Sequence, residues 1–204
     1  MSLNLNNYSF DEWVEFVFSH AVPSENADAW YWEEECEWEA DAEHIINHCI
    51  RLFRNPNFLL EKFSPEQINQ GFWFILGDIE LLQGCLWNRK IDWELREDCI
   101  MSMVGVFEQM FVQNPIEDAC YMWWDLLRDF SDDQDPKTKE AMLAALSQIL
   151  KLDSPDCQTS ALHGLGHLEH NGKRKVIEQF LEARPNINDE MKSYATAAME
   201  GKVL

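Results

Sequence analysis

The spacing of hydrophobic and polar residues predicts a chain made almost entirely of α-helices. From about residue 9 to the C-terminus, apolar side chains recur three or four positions apart, which is the period of one helix face. No stretch of useful length alternates with the two-residue period of a half-buried strand. The pattern predicts helices over residues 9–20, 40–54, 65–87, 92–113, 116–130, 136–151, 155–170, 173–184 and 189–201.

Helix starts are marked by side chains that can bind the free amide groups of a first turn. Asp135 and Ser154 are each followed by proline, which suits the first helical position, and Ser9 and Glu12 have the spacing of a capping box. Short connections between amphipathic helices favour antiparallel neighbours. The chain of 204 residues is therefore expected to form a single all-helical domain over residues 1–204, built of helical hairpins.

The last part of the chain contains a loose internal repeat. Ser160-Ala161-Leu162, which stands two residues before Gly164, recurs 34 residues later as Tyr194-Ala195-Thr196, which precedes two alanines. The repeat lies in the segment DCQTSALHGLGHLEHNGKRKVIEQFLEARPNINDEMKSYATAAMEGKV. This sequence resembles HEAT-like (ARM/HEAT-type) helical repeats, and the resemblance covers residues 117–204. It implies a right-handed α-α superhelix of antiparallel hairpins, with residues 1–113 as degenerate or capping hairpins.

The charge balance favours a basic partner. Asp and Glu number 37 against 16 Lys and Arg, which gives a net charge of −21 at pH 7. A field of this sign repels phosphate backbones, so direct binding to nucleic acid is not expected. It attracts cationic protein surfaces, and that attraction weakens as the salt concentration rises. Solubility alone is an equally good explanation of the charge.

The segment from Glu25 to Glu43 concentrates this charge beside tryptophan. It contains nine acidic residues, three tryptophans and no Lys or Arg. Indole rings among carboxylates offer rigid apolar contacts and cation–π partners to Lys and Arg. The alternative is a solvated face whose tryptophans point into the core. The predicted partner-binding residues are Trp30, Trp32, Glu33, Glu35, Glu37, Trp38, Glu39 and Asp41, together with Asp132, Asp133 and Asp135.

Histidines form a second candidate site. His163, His167 and His170 fall on one side of a helical wheel, opposite apolar residues, so they are expected to point away from the local core. His44 and His48 repeat the i, i+4 spacing by which helices hold zinc or iron. The neighbouring Glu-His pairs superficially resemble those of di-iron HEAT-repeat hydroxylases, but their order is reversed and the full set of pairs is missing. Ordinary surface histidines are the favoured interpretation, so no metal, cofactor or catalytic residue is assigned.

The remaining signals concern packing and cellular location. Six cysteines are widely spaced without a CxxC pair, which indicates reduced core thiols in a cytoplasmic protein. No apolar run is long enough to span a bilayer, so no membrane association is expected. Gly164 and Gly166 lie within a helical pattern and predict close helix packing rather than phosphate binding, and Trp123 is expected in the core.

Two classes of function follow from these patterns. The first is a non-enzymatic interaction module that presents an acidic, tryptophan-bearing surface to a basic protein, one concrete form being an immunity or antitoxin-type protein that covers a cationic toxin. A helical adaptor or a mimic of nucleic acid would use the same surface. The second is a metal-dependent HEAT-repeat enzyme with histidines and carboxylates in its concave groove. The first is favoured, because no enzyme motif accompanies the histidines.

Overall fold

The computed structural model describes residues 3–23, 29–32, 38–77, 81–131 and 133–203. These residues are predominantly helical, which confirms the all-α prediction. Two strands of two residues each, β1 (Leu3–Asn4) and β2 (Trp38–Glu39), pair in parallel with Leu3 opposite Trp38. The helices are α1 (Phe10–Phe18), α2 (Ala42–Arg54), α3 (Phe58–Lys62), α4 (Pro65–Gly77), α5 (Leu82–Trp87), α6 (Trp93–Val106), α7 (Glu117–Leu126), α8 (Pro136–Ile149), α9 (Pro155–His167), α10 (Lys173–Ala183) and α11 (Asp189–Glu200).

Most helix boundaries agree with the sequence pattern, and three differ. The predicted helix over 65–87 is divided into α4 and α5, and the residues between them include 78–80, which lie outside the described ranges. The predicted helix over 92–113 continues beyond α6 as a π-helical turn, Phe107–Phe111. The short helix α3 occupies a connection that the pattern left as a loop. The periodicity of one helix does not report how its apolar side chains pack against other helices. That packing accounts for such changes in helix boundaries.

The predicted capping side chains are confirmed. Ser9 and Glu12 form a complete capping box at the start of α1. The Asp135 carboxylate accepts a hydrogen bond from the Lys137 backbone amide at the start of α8. The Ser154 hydroxyl accepts one from the amide of Cys157 at the start of α9. These local bonds fix where each helix begins, and therefore which residues face its neighbours.

The helices contact one another in two series. One series joins α1 to α4, α4 to α7, α7 to α9 and α9 to α11. The other joins α2 to α6 and α6 to α8, while α8 also packs against α9. Their buried apolar side chains form a continuous core that extends from Phe10 to Val203. The first series matters most for function, because α4, α7 and α9 carry residues of the two candidate sites.

Close helix packing at Gly164 and Gly166 is confirmed. A Cβ atom at Gly164 would lie 2.6 Å from the Trp124 Cβ and 2.9 Å from a methyl group of Leu146. A Cβ at Gly166 would lie 2.4 Å from a methyl group of Val203. Real Cβ atoms are not found at such separations from neighbouring carbon atoms, so only glycine allows α7 and the C-terminus to approach α9 this closely.

Gly164→Ala should therefore lower the free energy of unfolding by about 1–3 kcal/mol despite the better helix propensity of alanine. Urea denaturation of the variant and the wild type measures the difference. Gly77→Ala is the matched control, because a Cβ there would meet Leu126 at an ordinary 3.5 Å. Equal stability of the two variants would contradict the close α7–α9 contact.

The cysteines within the described ranges agree with the prediction of reduced core thiols. Cys49, Cys85, Cys99, Cys120 and Cys157 are all buried and unpaired by disulfides. Burial raises the pKa of the Cys49 and Cys99 thiols well above the ordinary value, so these groups stay protonated. Cys36 lies outside the described residues.

Candidate functional site

The three tryptophans of the acidic segment have different environments. Trp30 is buried, its ring stacked on His20 with centroids 3.7 Å apart and tilted against Phe74 at 4.6 Å. Trp38 is half-buried in β2 and meets Phe74 edge-on. Trp32, two residues beyond Trp30 in a 3₁₀ turn, is 72% exposed. Trp30 therefore points into the core, as the alternative interpretation of the sequence expected, and it fixes the turn to the protein. Trp32 lies on the surface.

Trp32 lines one side of an apolar groove of about 740 Å³. The opposite side comes from α4, where Gln70, Trp73 and Gly77 recur at helical spacing and share one face. Leu126 of α7 closes one end. The groove thus lies between the Trp30–Trp32 turn and the α4–α7 pair, and we call it the Trp32 groove.

The walls of the Trp32 groove are held by specific contacts. The Asn69 side-chain oxygen accepts a hydrogen bond of 2.9 Å from the Ala119 backbone amide, which fixes the first turn of α7 to α4. Trp30 holds the other wall through its stacking on His20, described above. Because both walls are fixed, the groove is already formed in the folded chain before a ligand binds.

The polar groups that line the Trp32 groove include two carboxylates and a buried amide. The charged side chains that line it within the described residues are Glu66 and Asp118, both exposed at the rim. Gln70 is buried, and its side-chain oxygen has no hydrogen-bond partner among the described residues. A buried acceptor without a donor is costly, and this oxygen has almost no surface open to the groove.

The predicted acidic residues are divided among several places. Glu33, Glu35, Glu37 and Asp132 lie outside the described residues. Glu39 and Asp41 are exposed beside the N-terminus, where the Glu39 carboxylate accepts a hydrogen bond from Asn4 and the Asp41 amide donates one to Asn6. These two carboxylates remain accessible to a partner.

Asp135 requires a correction. It was expected on the partner-binding surface, but it is only 7% exposed and forms an ion pair of 2.9 Å with the equally buried Arg96. Its carboxylate also caps α8, so both of its functions are internal. The nearby Asp133 is exposed and binds Arg89 through two contacts of 3.1 Å. Neither carboxylate adds an unpaired negative charge to a contact surface.

The histidine prediction also requires a correction. His163 was expected to point away from the core, yet it is only 2% exposed, because α7 and α11 both pack against α9. Its Nδ1 lies 2.9 Å from the Tyr194 hydroxyl, which lies 2.9 Å from the Tyr121 hydroxyl. Burial lowers the pKa of His163 to about 4, with the neighbouring His167 contributing, so the ring is neutral at physiological pH.

The structure brings His163 and His167 together with a residue that the sequence did not indicate, Asp125 of α7. One donor atom from each of the three lies within 4.8 Å of the others, and this is the one such group of three within the described ranges. The Nε2 atom of His167 is 3.6 Å from Asp125 Oδ1, which also accepts a hydrogen bond from Arg128 at 2.9 Å. These three residues could hold a metal ion, and we call them the α7–α9 cluster.

The other histidines are separate from this cluster. His170 lies 2.9 Å from a carboxylate oxygen of Glu140. The rings of His44 and His48 are 4.2 Å apart, but in the part of the chain that the structure describes no third ligand completes a set with them. The i, i+4 spacing therefore identified a candidate cation site at one of its two occurrences.

Comparison with protein-family models, with curated proteins and with solved structures gives no match. Within the described residues, no helix combines the length and the apolar character needed to cross a membrane.

Proposed function

We propose that this chain is a non-enzymatic protein-interaction module that binds a basic partner at the Trp32 groove. The observation that carries the proposal is the combination of an exposed indole, an apolar groove of about 740 Å³ and rim charges of one sign. Large exposed aromatic residues beside a fixed apolar groove are typical of the centre of a protein interface.

The groove favours a particular kind of segment in the partner. An apolar or aromatic side chain fills the space between Trp32 and Trp73, where it displaces water from both rings. Lys or Arg side chains on either side then meet Glu66 and Asp118 at the rim, and they can also lie over the Trp32 ring. The preferred ligand is therefore an apolar residue flanked by basic ones.

Long-range electrostatics supports the same choice of partner. The net charge of −21 accelerates the approach of a cationic protein and repels an anionic one. In the sequence, the five residues before Ala29 include two acidic residues and the five after Trp32 include four, and neither stretch contains a basic residue.

At the level of the fold, we propose a HEAT-like solenoid. The two series of helix contacts and the tight glycine contacts of α9 support this assignment, because HEAT-like hairpins stack through small residues. One concrete form of the function is an immunity or antitoxin-type protein that covers the basic site of a toxin. An adaptor for a cationic protein would use the same groove.

Selection from a random peptide display library tests the function without knowledge of the natural partner. Wild-type chain is the bait, and the enriched peptides should contain an aromatic or large aliphatic residue flanked by Lys or Arg. Their affinity should fall at least tenfold with Trp32→Ala, as expected for the loss of a central interface residue. Glu66→Lys should weaken binding and reduce its dependence on salt between about 0.05 and 0.5 M.

Phe130→Ala is the matched control, because Phe130 is also an exposed aromatic residue, 80% accessible, and does not line the Trp32 groove. It should leave peptide affinity unchanged. Affinities that survive Trp32→Ala would show that this groove is not the binding site, and enriched peptides without basic residues would contradict a basic partner.

A further inference from the structure

The α7–α9 cluster places three metal-binding side chains at one point between two packed helices. His163 and His167 project from successive turns of α9, and Asp125 projects from α7, which packs directly against α9. The arrangement depends on tertiary structure, because neither helix carries the full set. Two imidazoles and one carboxylate are the ligands used by catalytic zinc sites and by non-haem iron(II) sites.

His163 provides a second, independent observation. The residue is only 2% exposed, and its Nε2 atom has no hydrogen-bond partner among the described residues. The other ring nitrogen, Nδ1, is engaged by the Tyr194 hydroxyl. A buried imidazole nitrogen without a partner is unfavourable, and coordination to a cation would satisfy it.

We propose that Asp125, His163 and His167 bind one divalent transition-metal ion, of the class that prefers imidazole and carboxylate ligands, such as zinc or iron(II). In this arrangement His163 binds through Nε2, and its Nδ1, 2.9 Å from the Tyr194 hydroxyl, carries the proton and donates to that oxygen. This hydrogen bond fixes the tautomer and the ring orientation, which is the usual arrangement of a metal-bound histidine. Three protein ligands leave at least one position for water or another small ligand.

The charge of Arg128 opposes a cation at Asp125, and its removal therefore tests the proposal. Its guanidinium donates to Asp125 Oδ1 at 2.9 Å, so it competes with a cation for the same carboxylate and also repels it. The guanidinium has a second contact, over the Phe130 ring at 4.8 Å, that it retains when the carboxylate binds metal. Removal of the Arg128 charge is therefore expected to strengthen metal binding, an effect that a purely structural role of the cluster does not predict.

Titration with Zn(II) alone tests the site. The full chain is treated with a chelator, transferred to metal-free buffer at about pH 7.5, where unperturbed imidazoles are mostly neutral, and titrated against a chromophoric competitor. We expect one zinc ion per chain. His167→Ala and Asp125→Asn should each weaken binding by roughly 100-fold or more, while Arg128→Gln should strengthen it several-fold. Cobalt(II), which reports its coordination through visible absorption, should show the same order of affinities.

Matched controls separate this site from others on the chain. His170→Ala and His48→Ala should bind zinc like the wild type, since neither residue belongs to the cluster. His167 is preferred to His163 for substitution because it is only partly buried, and circular dichroism confirms that each variant is folded. Trp32→Ala should also leave zinc binding unchanged, so this test is independent of the proposed function.

Three results would overturn the proposal. The first is a wild-type chain that binds no stoichiometric zinc below about 100 µM, a very weak affinity for a site with three protein ligands. The second is unchanged affinity in folded His167→Ala or Asp125→Asn. The third is weaker binding in Arg128→Gln, which would mean that the guanidinium does not oppose a cation at Asp125.

Discussion

Arg96→Met should lower the free energy of unfolding by about 3–5 kcal/mol, as expected when one member of a buried ion pair is removed. Arg96 is only 3% exposed and donates from Nη1 to the Asp135 carboxylate at 2.9 Å and to the Leu86 carbonyl at 3.0 Å. Its Nε donates to the Ile91 carbonyl at 3.2 Å. The substitution leaves a buried carboxylate and two carbonyl oxygens without these donors.

The exposed ion pair between Arg89 and Asp133 supplies the control. Arg89→Met should cost at most about 1 kcal/mol, since surface ion pairs contribute little. Urea denaturation near neutral pH measures both variants. A double variant, Arg96→Met with Asp135→Leu, should recover part of the loss, because apolar side chains can replace a buried ion pair. Equal costs for Arg96→Met and Arg89→Met would contradict the buried pair.

The effect of Arg96 should also depend on pH. Burial opposes ionisation of Asp135, but the hydrogen bonds from Arg96 and from the Lys137 amide, together with the charge of Arg96, outweigh it, so the pKa of Asp135 is lowered. A lowered carboxyl pKa stabilises the fold above the pKa of the unfolded chain, and that contribution is lost as the pH falls. Without Arg96 the buried carboxylate should have a raised pKa, so the difference between wild type and Arg96→Met should be full near neutral pH. It should shrink as the pH falls from the raised pKa of the folded variant to the lowered pKa of the folded wild type.

Asp135 also shows what a sequence can and cannot reveal about an acidic surface. Its role as a helix cap was predicted, because the cap, the proline and the helix are adjacent in the chain. Its burial against Arg96 was not, because α6 and α8 meet only in the folded protein. A count of acidic residues measures the total charge, but it does not identify the carboxylates that are already paired.

The two candidate sites likewise depend on contacts that form only in the folded protein. The i, i+4 spacing correctly placed His163 and His167 together, but a wheel for α9 contains no information about α11, which covers the face on which they lie. Asp125 joins them only through the packing of α7 on α9. Likewise, Trp30 and Trp32 are two residues apart with similar neighbours in sequence, and only the 3₁₀ turn directs one inward and the other outward.

Trp123→Ala should lower the free energy of unfolding by about 3–5 kcal/mol, because it removes a large side chain from the centre of the core. Trp123 is completely buried. Its ring lies 5.0 Å from the Phe72 ring of α4 and 5.5 Å from the Phe53 ring of α2. Its indole N–H also points to the Met103 sulfur at 3.4 Å. These edge-to-face contacts position the neighbouring rings, so the cavity left by the indole is expected to be filled only in part.

Comparison with Trp32→Ala separates stability from binding. Trp32 is the same residue type on the surface, so its removal should change the free energy of unfolding by no more than about 0.5 kcal/mol in urea denaturation. Equal costs for Trp123→Ala and Trp32→Ala would contradict the assignment of one ring to the core and the other to the groove.

Trp123 lies on α7, which also supplies Asp118 and Leu126 to the Trp32 groove and Asp125 to the α7–α9 cluster. Trp123→Ala should therefore weaken peptide and zinc binding together, whereas Trp32→Ala should weaken peptide binding alone.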